Sequence, residues 1–206
     1  MRTIKEYWIE FNKPAAAAER TAAKPWVFFY EWIDSVMGAI VVIFIVFTFL
    51  FRAVGVDGSS MFPTLHDGDW VAISGINFQP HRGDIVVVTQ PNDVHEPLIK
   101  RIIAIGGDTI DINFISHEVE INGIVINEPY INAPTALSFD VVFPLTVPKG
   151  FVFVMGDNRN NSTDSRSSEV GLVDTRQIFG KVLFVLLPGK NADGTRSWNR
   201  IGTVYR

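Results

Sequence analysis

The chain has 206 residues, with 18 Lys and Arg against 22 Asp and Glu, a formal charge of −4, and no cysteine. That length suits one ordinary domain with a short appendage. The slightly acidic balance argues against a nucleic-acid binder, which needs clustered Lys and Arg for phosphates, and the missing cysteine removes disulfides, thiolate metal sites and a cysteine nucleophile.

Hydrophobic residues make up 47% of the chain although 19% is charged, so the apolar content must be concentrated. Residues 1–31 read as a tail, with an alanine-rich stretch from Ala15 to Ala23 that favours helix. From Ser35 to Phe51 there are 17 consecutive residues without a charge. At about 1.5 Å per residue this run covers roughly 25 Å, and Trp32, Ile33, Ala53 and Val54 extend it to the ~30 Å of a bilayer's hydrocarbon core. A membrane span is therefore placed at 32–54, with Trp26, Tyr30 and Trp32 at one headgroup region and Arg52 at the other.

Two other readings of the run are weaker. Ala53-Val54-Gly55 resembles a signal-peptide cleavage site, but the apolar core exceeds the usual ~7–15 residues and 34 residues precede it. A core helix of a soluble domain would show a polar stripe, and none is present. Arg2, Lys5, Lys13, Arg20 and Lys24 precede the span, whereas Arg52 is the sole Lys or Arg from there to His81. Positive residues stay on the cytoplasmic side, so the expectation is a single-pass membrane protein with a cytoplasmic N-terminus. Residues 55–206 would form one domain on the outer face.

Beyond Arg52, short β-type runs alternate with Gly, Pro, Asn and Asp. Strands are expected at Asp69–Ser74, Asp84–Thr89, Leu98–Ile105, Thr109–Ile112, Asp140–Val147, Phe151–Met155 and Phe179–Leu187. Asn122-Gly123, inside the alternating run Glu118–Asn127, predicts a tight hairpin. Gly106-Gly107-Asp108 is expected to turn a further pair. Helical periodicity is scarce, so the domain should be mainly β, an irregular antiparallel sandwich or barrel-like fold behind one transmembrane helix.

Three places could carry chemistry. The first is the Gly/Ser turn of Gly58-Ser59-Ser60-Met61-Phe62-Pro63, where Ser60 offers either a turn hydroxyl or a nucleophile in need of a base. The second is Lys100, which alternation places on one strand face with Leu98, Ile102 and Ala104. Burial there would disfavour its ammonium and lower its pKa, as a general base requires. Arg101 shares the opposite face with Ile99 and Ile103, so alternation leaves open which cation is buried, and a lysine snorkelling from an edge strand is the plainer reading. The third is the polar loop Gly156–Arg166, which reads either as Asx turns stapled by Asp–Arg pairs or as support for a reactive pair through a hydroxyl such as that of Ser162. The four histidines lack metal-ligand spacing.

Taken together, these places resemble the type I signal peptidases, membrane-anchored serine proteases with a Ser-Lys dyad. The resemblance rests on SSMFPTL at Ser59–Leu65, GDIVVV at Gly83–Val88, LIKRIIAIGGD at Leu98–Asp108 and GDNRNNSTDSR at Gly156–Arg166, in the family's order behind an apolar anchor. It implies Ser60 as nucleophile, Lys100 as general base, Ser162 as the hydroxyl that orients the lysine, Asp164 and Arg166 as a supporting ion pair, and the Ser60 backbone N–H as an oxyanion donor. Two positions depart from the family pattern. Gly58 stands where some members have a hydroxyl donor, and Asn160 where many have Asp. The implied activity is cleavage of signal-peptide-bearing preproteins at the lipid bilayer after small-x-small sites, without metal or organic cofactor. The competing readings are a Ser-Lys self-cleaving peptidase and an inert membrane-anchored β domain for binding or assembly. Oligomeric state is not legible in the sequence.

Overall fold

The computed structural model describes residues 25–50, 52–75, 78–89, 96–191, 193–202 and 204. The alanine-rich tail lies outside them. The chain divides into two compact units that meet between Phe47 and Thr48. Helix α1, Pro25–Leu50, is the described part of the first and runs three residues past that boundary. Its window Phe28–Ile45 is long and apolar enough to cross a membrane, and the side chains described from Trp26 to Ile45 are exposed all round. A helix with no polar face and with its described side chains exposed suits lipid, where every backbone group must be satisfied within the segment. The helix starts before residue 32 and stops short of Arg52. Ala53 and Val54, counted above toward the apolar span, are strand residues.

The second unit is mainly β. Its strands are β1 (Arg52–Gly55), β2 (Trp70–Ser74), β3 (Ile85–Val88), β4 (Leu98–Ile105), β5 (Thr109–Asn113), β6 (Glu118–Ile121), β7 (Ile124–Val125), β8 (Leu145–Thr146), β9 (Phe151–Met155), β10 (Val173–Asp174) and β11 (Ile178–Leu187). They form a seven-stranded sheet in the order β1-β2-β11-β3-β4-β9-β10 and a four-stranded sheet in the order β7-β6-β5-β8. All the pairings are antiparallel.

Alternation sorts the strand residues into three apolar clusters. Ile85 and Val87 of β3 join Met61, Leu65, Val71 and Val185 in one cluster. Val86 and Val88 point the other way, toward Ile102, Val152, Val154, Val170 and Val173. Ile103, Phe153 and Met155 meet Ile110, Ile112, Val119 and Ile121 from the smaller sheet. A bulge between Ile102 and Ala104 in the β4–β9 pairing puts Ala104 in this last cluster, away from the face it would share with Lys100 by strict alternation.

Three local expectations meet different outcomes. Asn122 (φ 55°) and Gly123 (φ 77°) form the tight turn between β6 and β7, the positive angles that Asn-Gly supplies. Gly106-Gly107-Asp108 turns the chain, but between sheets: β4 pairs with β3 and β9, and β5 with β6 and β8. The Asp140–Val147 run is strand only at Leu145–Thr146. Pro144 cannot donate to a ladder, and the Asp140 carboxylate binds the backbone N–H and hydroxyl of Ser168.

Candidate active site

The turn from Val56 to Asp69 is closed by backbone bonds from Val56 N to Asp69 O and from Gly68 N to Val56 O, 2.7 and 2.9 Å. Gly58 sits in it at φ 85°, and its N–H donates to Asp67 Oδ1 at 2.8 Å. Position 58 therefore carries no side-chain donor, and its amide is already engaged. Ser60 follows, half-buried, while Met61 and Leu65 anchor the segment in the core. From the far end of the chain, Arg200 forks onto Asp69 at 2.9 and 2.6 Å, and Asp69 also accepts from the Gly189 N–H at 2.7 Å.

Lys100 lies opposite Val86 in the β3–β4 ladder, and its Nζ donates to Ser60 Oγ at 2.8 Å. It is 3% exposed, and its pKa is pushed down to about 8. Burial, which penalises the ammonium, is the main cause; Asp164 and Asp157 oppose it and Arg166 reinforces it. Near neutral pH about a tenth of such an amine is deprotonated, with its lone pair free to accept the Ser60 proton.

Both cations of β4 prove to be buried, on opposite faces. Arg101 forks onto Asp157 through Nε (2.8 Å) and Nη2 (2.7 Å), donates to the Gly83 carbonyl at 2.9 Å, and stacks its guanidinium 4.0 Å from the Tyr130 ring centroid. Arginine suits this position because its planar fork satisfies a buried carboxylate at two points.

The loop after β9 wraps the serine. The Asn158 N–H donates to Ser60 O at 3.0 Å, Asn158 Nδ2 to Ser59 O at 3.1 Å and Asn161 Nδ2 to Ser59 Oγ at 2.9 Å. Gly156 is the point of closest approach: a Cβ there would lie 2.3 Å from Ser162 Oγ and 2.5 Å from Ser60 O. Asp164 and Arg166, both fully buried, form a two-pronged pair at 2.8 and 2.9 Å, and Asp164 also accepts from the Gly156 N–H at 3.0 Å. The sequence-predicted residues Ser60, Lys100, Ser162, Asp164 and Arg166 thus come together around Gly156. Among the described residues, the buried Ser162 hydroxyl has no hydrogen-bond partner.

Several supporting residues were not legible from the sequence. Arg159, fully buried, forks onto Glu128 at 2.7 and 2.5 Å, and Arg101 pairs with Asp157 as above. The one available signal was the density of Arg and Asp in the box; no local spacing ties Glu128 to Arg159. At Asn160 the side-chain carbonyl accepts from the Ala136 and Leu137 N–H groups at 2.9 and 3.0 Å, while Nδ2 donates to Pro134 O at 3.0 Å. That last bond is one a carboxylate could not make.

A serine hydroxyl against a buried lysine amine, on an antiparallel β scaffold with a membrane-compatible helix ahead of it, defines a membrane-anchored serine hydrolase of the lysine-base class. The family model described as "Signal peptidase, peptidase S26" matches residues 29–187. The chain belongs to that family: it is a single-pass membrane serine endopeptidase that removes signal peptides from exported preproteins with a Ser-Lys dyad. It is 36% identical over 170 residues to a signal peptidase I of Bacillus licheniformis, covering 77% of this chain and 89% of that one. It is 36% identical over 190 residues to a signal peptidase I of Bacillus amyloliquefaciens (87% and 95%), and 38% identical over 169 residues to signal peptidase I S of Bacillus subtilis (77% and 89%).

Proposed function

We propose that Ser60 is the nucleophile of the signal-peptide cleavage and Lys100 its general base. The observation that carries this reading is the 2.8 Å contact between Lys100 Nζ and Ser60 Oγ, made by a lysine whose pKa burial lowers to about 8. Neutral Lys100 takes the Ser60 proton as Oγ attacks the scissile carbonyl, returns it to the leaving amine, and then activates the water that hydrolyses the acyl-enzyme. The Ser60 N–H faces the oxyanion, the unpartnered Ser162 hydroxyl is free to orient the lysine head group during the reaction, and the Asp164–Arg166 pair fixes the loop that holds Ser60. Cleavage follows small-x-small sites in preproteins whose signal cores remain in the bilayer. The residues ahead of helix α1 are the cytoplasmic tail, the helix supplies the span, and the unit that begins with β1 is the catalytic domain on the outer face of the plasma membrane.

The test is processing of a signal-bearing preprotein by the full chain and its Ser60→Ala variant across pH 6 to 10. Loss of processing in the variant, and a wild-type rate that rises with pH to a plateau above about 8, are expected. Equal processing by the two proteins would refute the assignment.

A further inference from the structure

The loop that follows β7 does more than connect the smaller sheet to β8. From Glu128 to Leu137 it lies along the polar loop that carries Gly156 to Asn160. The Asn132 N–H donates to Asp157 O at 3.0 Å, the buried Thr135 hydroxyl accepts from Arg159 Nη1 at 2.9 Å, and the Ala136 and Leu137 N–H groups bind Asn160. At its start, Glu128 receives both prongs of Arg159 and the Tyr130 hydroxyl, the latter at 3.0 Å. The Tyr130 ring stacks on Arg101 beside the dyad, 4.0 Å from its guanidinium, and lies 6.0 Å from that of Arg159.

Arg159 reaches the dyad through Gly156. Its Nε donates to Gly156 O at 3.2 Å, while Asp164 holds the Gly156 N–H at 3.0 Å. The two backbone groups of Gly156 are therefore clamped by two separate ion pairs, which Arg166 links by donating to Arg159 O at 2.6 Å. There is no room beside this glycine, because even a Cβ on it would lie 2.5 Å from Ser60 O and 2.3 Å from Ser162 Oγ. A displacement of Gly156 toward Ser60 must move the Ser60 backbone.

We infer that Glu128 is a positioning residue for the reaction, setting the Ser60 nucleophile against Lys100 by fixing Arg159, and through it Gly156. This rests on the Ser60–Lys100 assignment. Glu128 touches no reacting atom; its carboxylate compensates the buried charge of the Arg159 guanidinium and keeps it aimed at Gly156 O. A misplacement of reacting groups by about 1 Å lowers turnover by about 10²-fold, so the effect should fall on kcat rather than on KM.

The experiment uses the full chain in detergent and a quenched peptide with alanine at both small positions of a small-x-small site. Wild type, Glu128→Gln, Glu128→Gln/Arg159→Leu and Ser60→Ala are compared for kcat, KM and Tm. Glu128→Gln leaves a buried cation without its counter-charge and should lower Tm as well as kcat. The double variant removes that stranded charge, so its Tm should recover while kcat stays about 10²-fold below wild type with KM within about twofold. If kcat recovers along with Tm, or if folded Glu128→Gln turns over like wild type, Glu128 only stabilises the fold and the inference is overturned. Ser60→Ala separates the two readings: activity in that variant would refute the dyad, whereas its inactivity beside a fully active Glu128→Gln would refute the positioning role alone.

Discussion

Replacing Lys100 with Met should abolish processing and make the protein more stable near neutral pH. Methionine keeps an unbranched chain of similar length and removes the amine. Lys100 is almost fully buried, and its pKa falls from 10.5 to about 8. That gap corresponds to about 3 kcal/mol by which folding disfavours the ammonium. Below pH 8 the folded and unfolded chains both hold the proton, so the whole cost is present. As pH rises from 8 to 10.5 the folded chain releases the proton while the unfolded chain keeps it, and wild type regains stability. The lost hydrogen bond to Ser60 offsets about 1 kcal/mol of the gain. The net is about 2 kcal/mol at pH 7, which raises Tm by about 4–8 °C in a domain of this size. Melting curves of the two proteins from pH 6 to pH 10.5 test this directly. A Lys100→Met protein that melts below wild type at pH 7, or an offset that does not shrink with rising pH, would refute the view that the amine is held in its site against a desolvation cost.

Two further outcomes follow from the loop that holds Ser60. Gly156→Ala places a methyl group 2.5 Å from Ser60 O and 2.3 Å from Ser162 Oγ. Turnover should fall by about 10²-fold or more, and adding Ser162→Gly should not restore it, because the Ser60 carbonyl is backbone and cannot turn aside; recovery in the double variant would show that Ser162 alone made the clash. Asn160→Asp keeps the acceptor for Ala136 and Leu137 but loses the donor to Pro134 O, and should cost about 1 kcal/mol in chemical unfolding at pH 7. No change in the unfolding midpoint would mean that the Pro134 bond is replaced by water.

Strands with strong local signals were legible. Leu98–Ile105 and Phe151–Met155 have the bounds that their β-branched and aromatic runs suggest, and Asn122-Gly123 forms the turn its positive-φ preference demands. Weak or mixed signals misled. Apolar Ala53 and Val54 extend a hydropathic run by composition, yet they pair with Ala72 and Val71 in β1–β2, because a strand partner far along the chain is invisible to a local window. Asp140–Val147 alternates well enough for a strand but contains Pro144 and an aspartate engaged with Ser168.

At the site, the resemblance of four boxes in order pointed to Ser60, Lys100, Ser162, Asp164 and Arg166, but residue types alone left open whether Lys100 or Arg101 is buried. The tertiary structure buries both. A bulge, a strand partner on each side and the loop over Ser60 give Lys100 a hydroxyl and Arg101 a carboxylate. The sequence by itself determined the anchor, the mainly β character and the kinds of group available for chemistry, since hydropathy, alternation and turn residues act over a few neighbours. Only the tertiary structure decided which charges share a dry interior. The Arg159–Glu128 and Arg101–Asp157 pairs join residues 31 and 56 positions apart, and the desolvation that lowers the Lys100 pKa comes from what the whole fold packs around it.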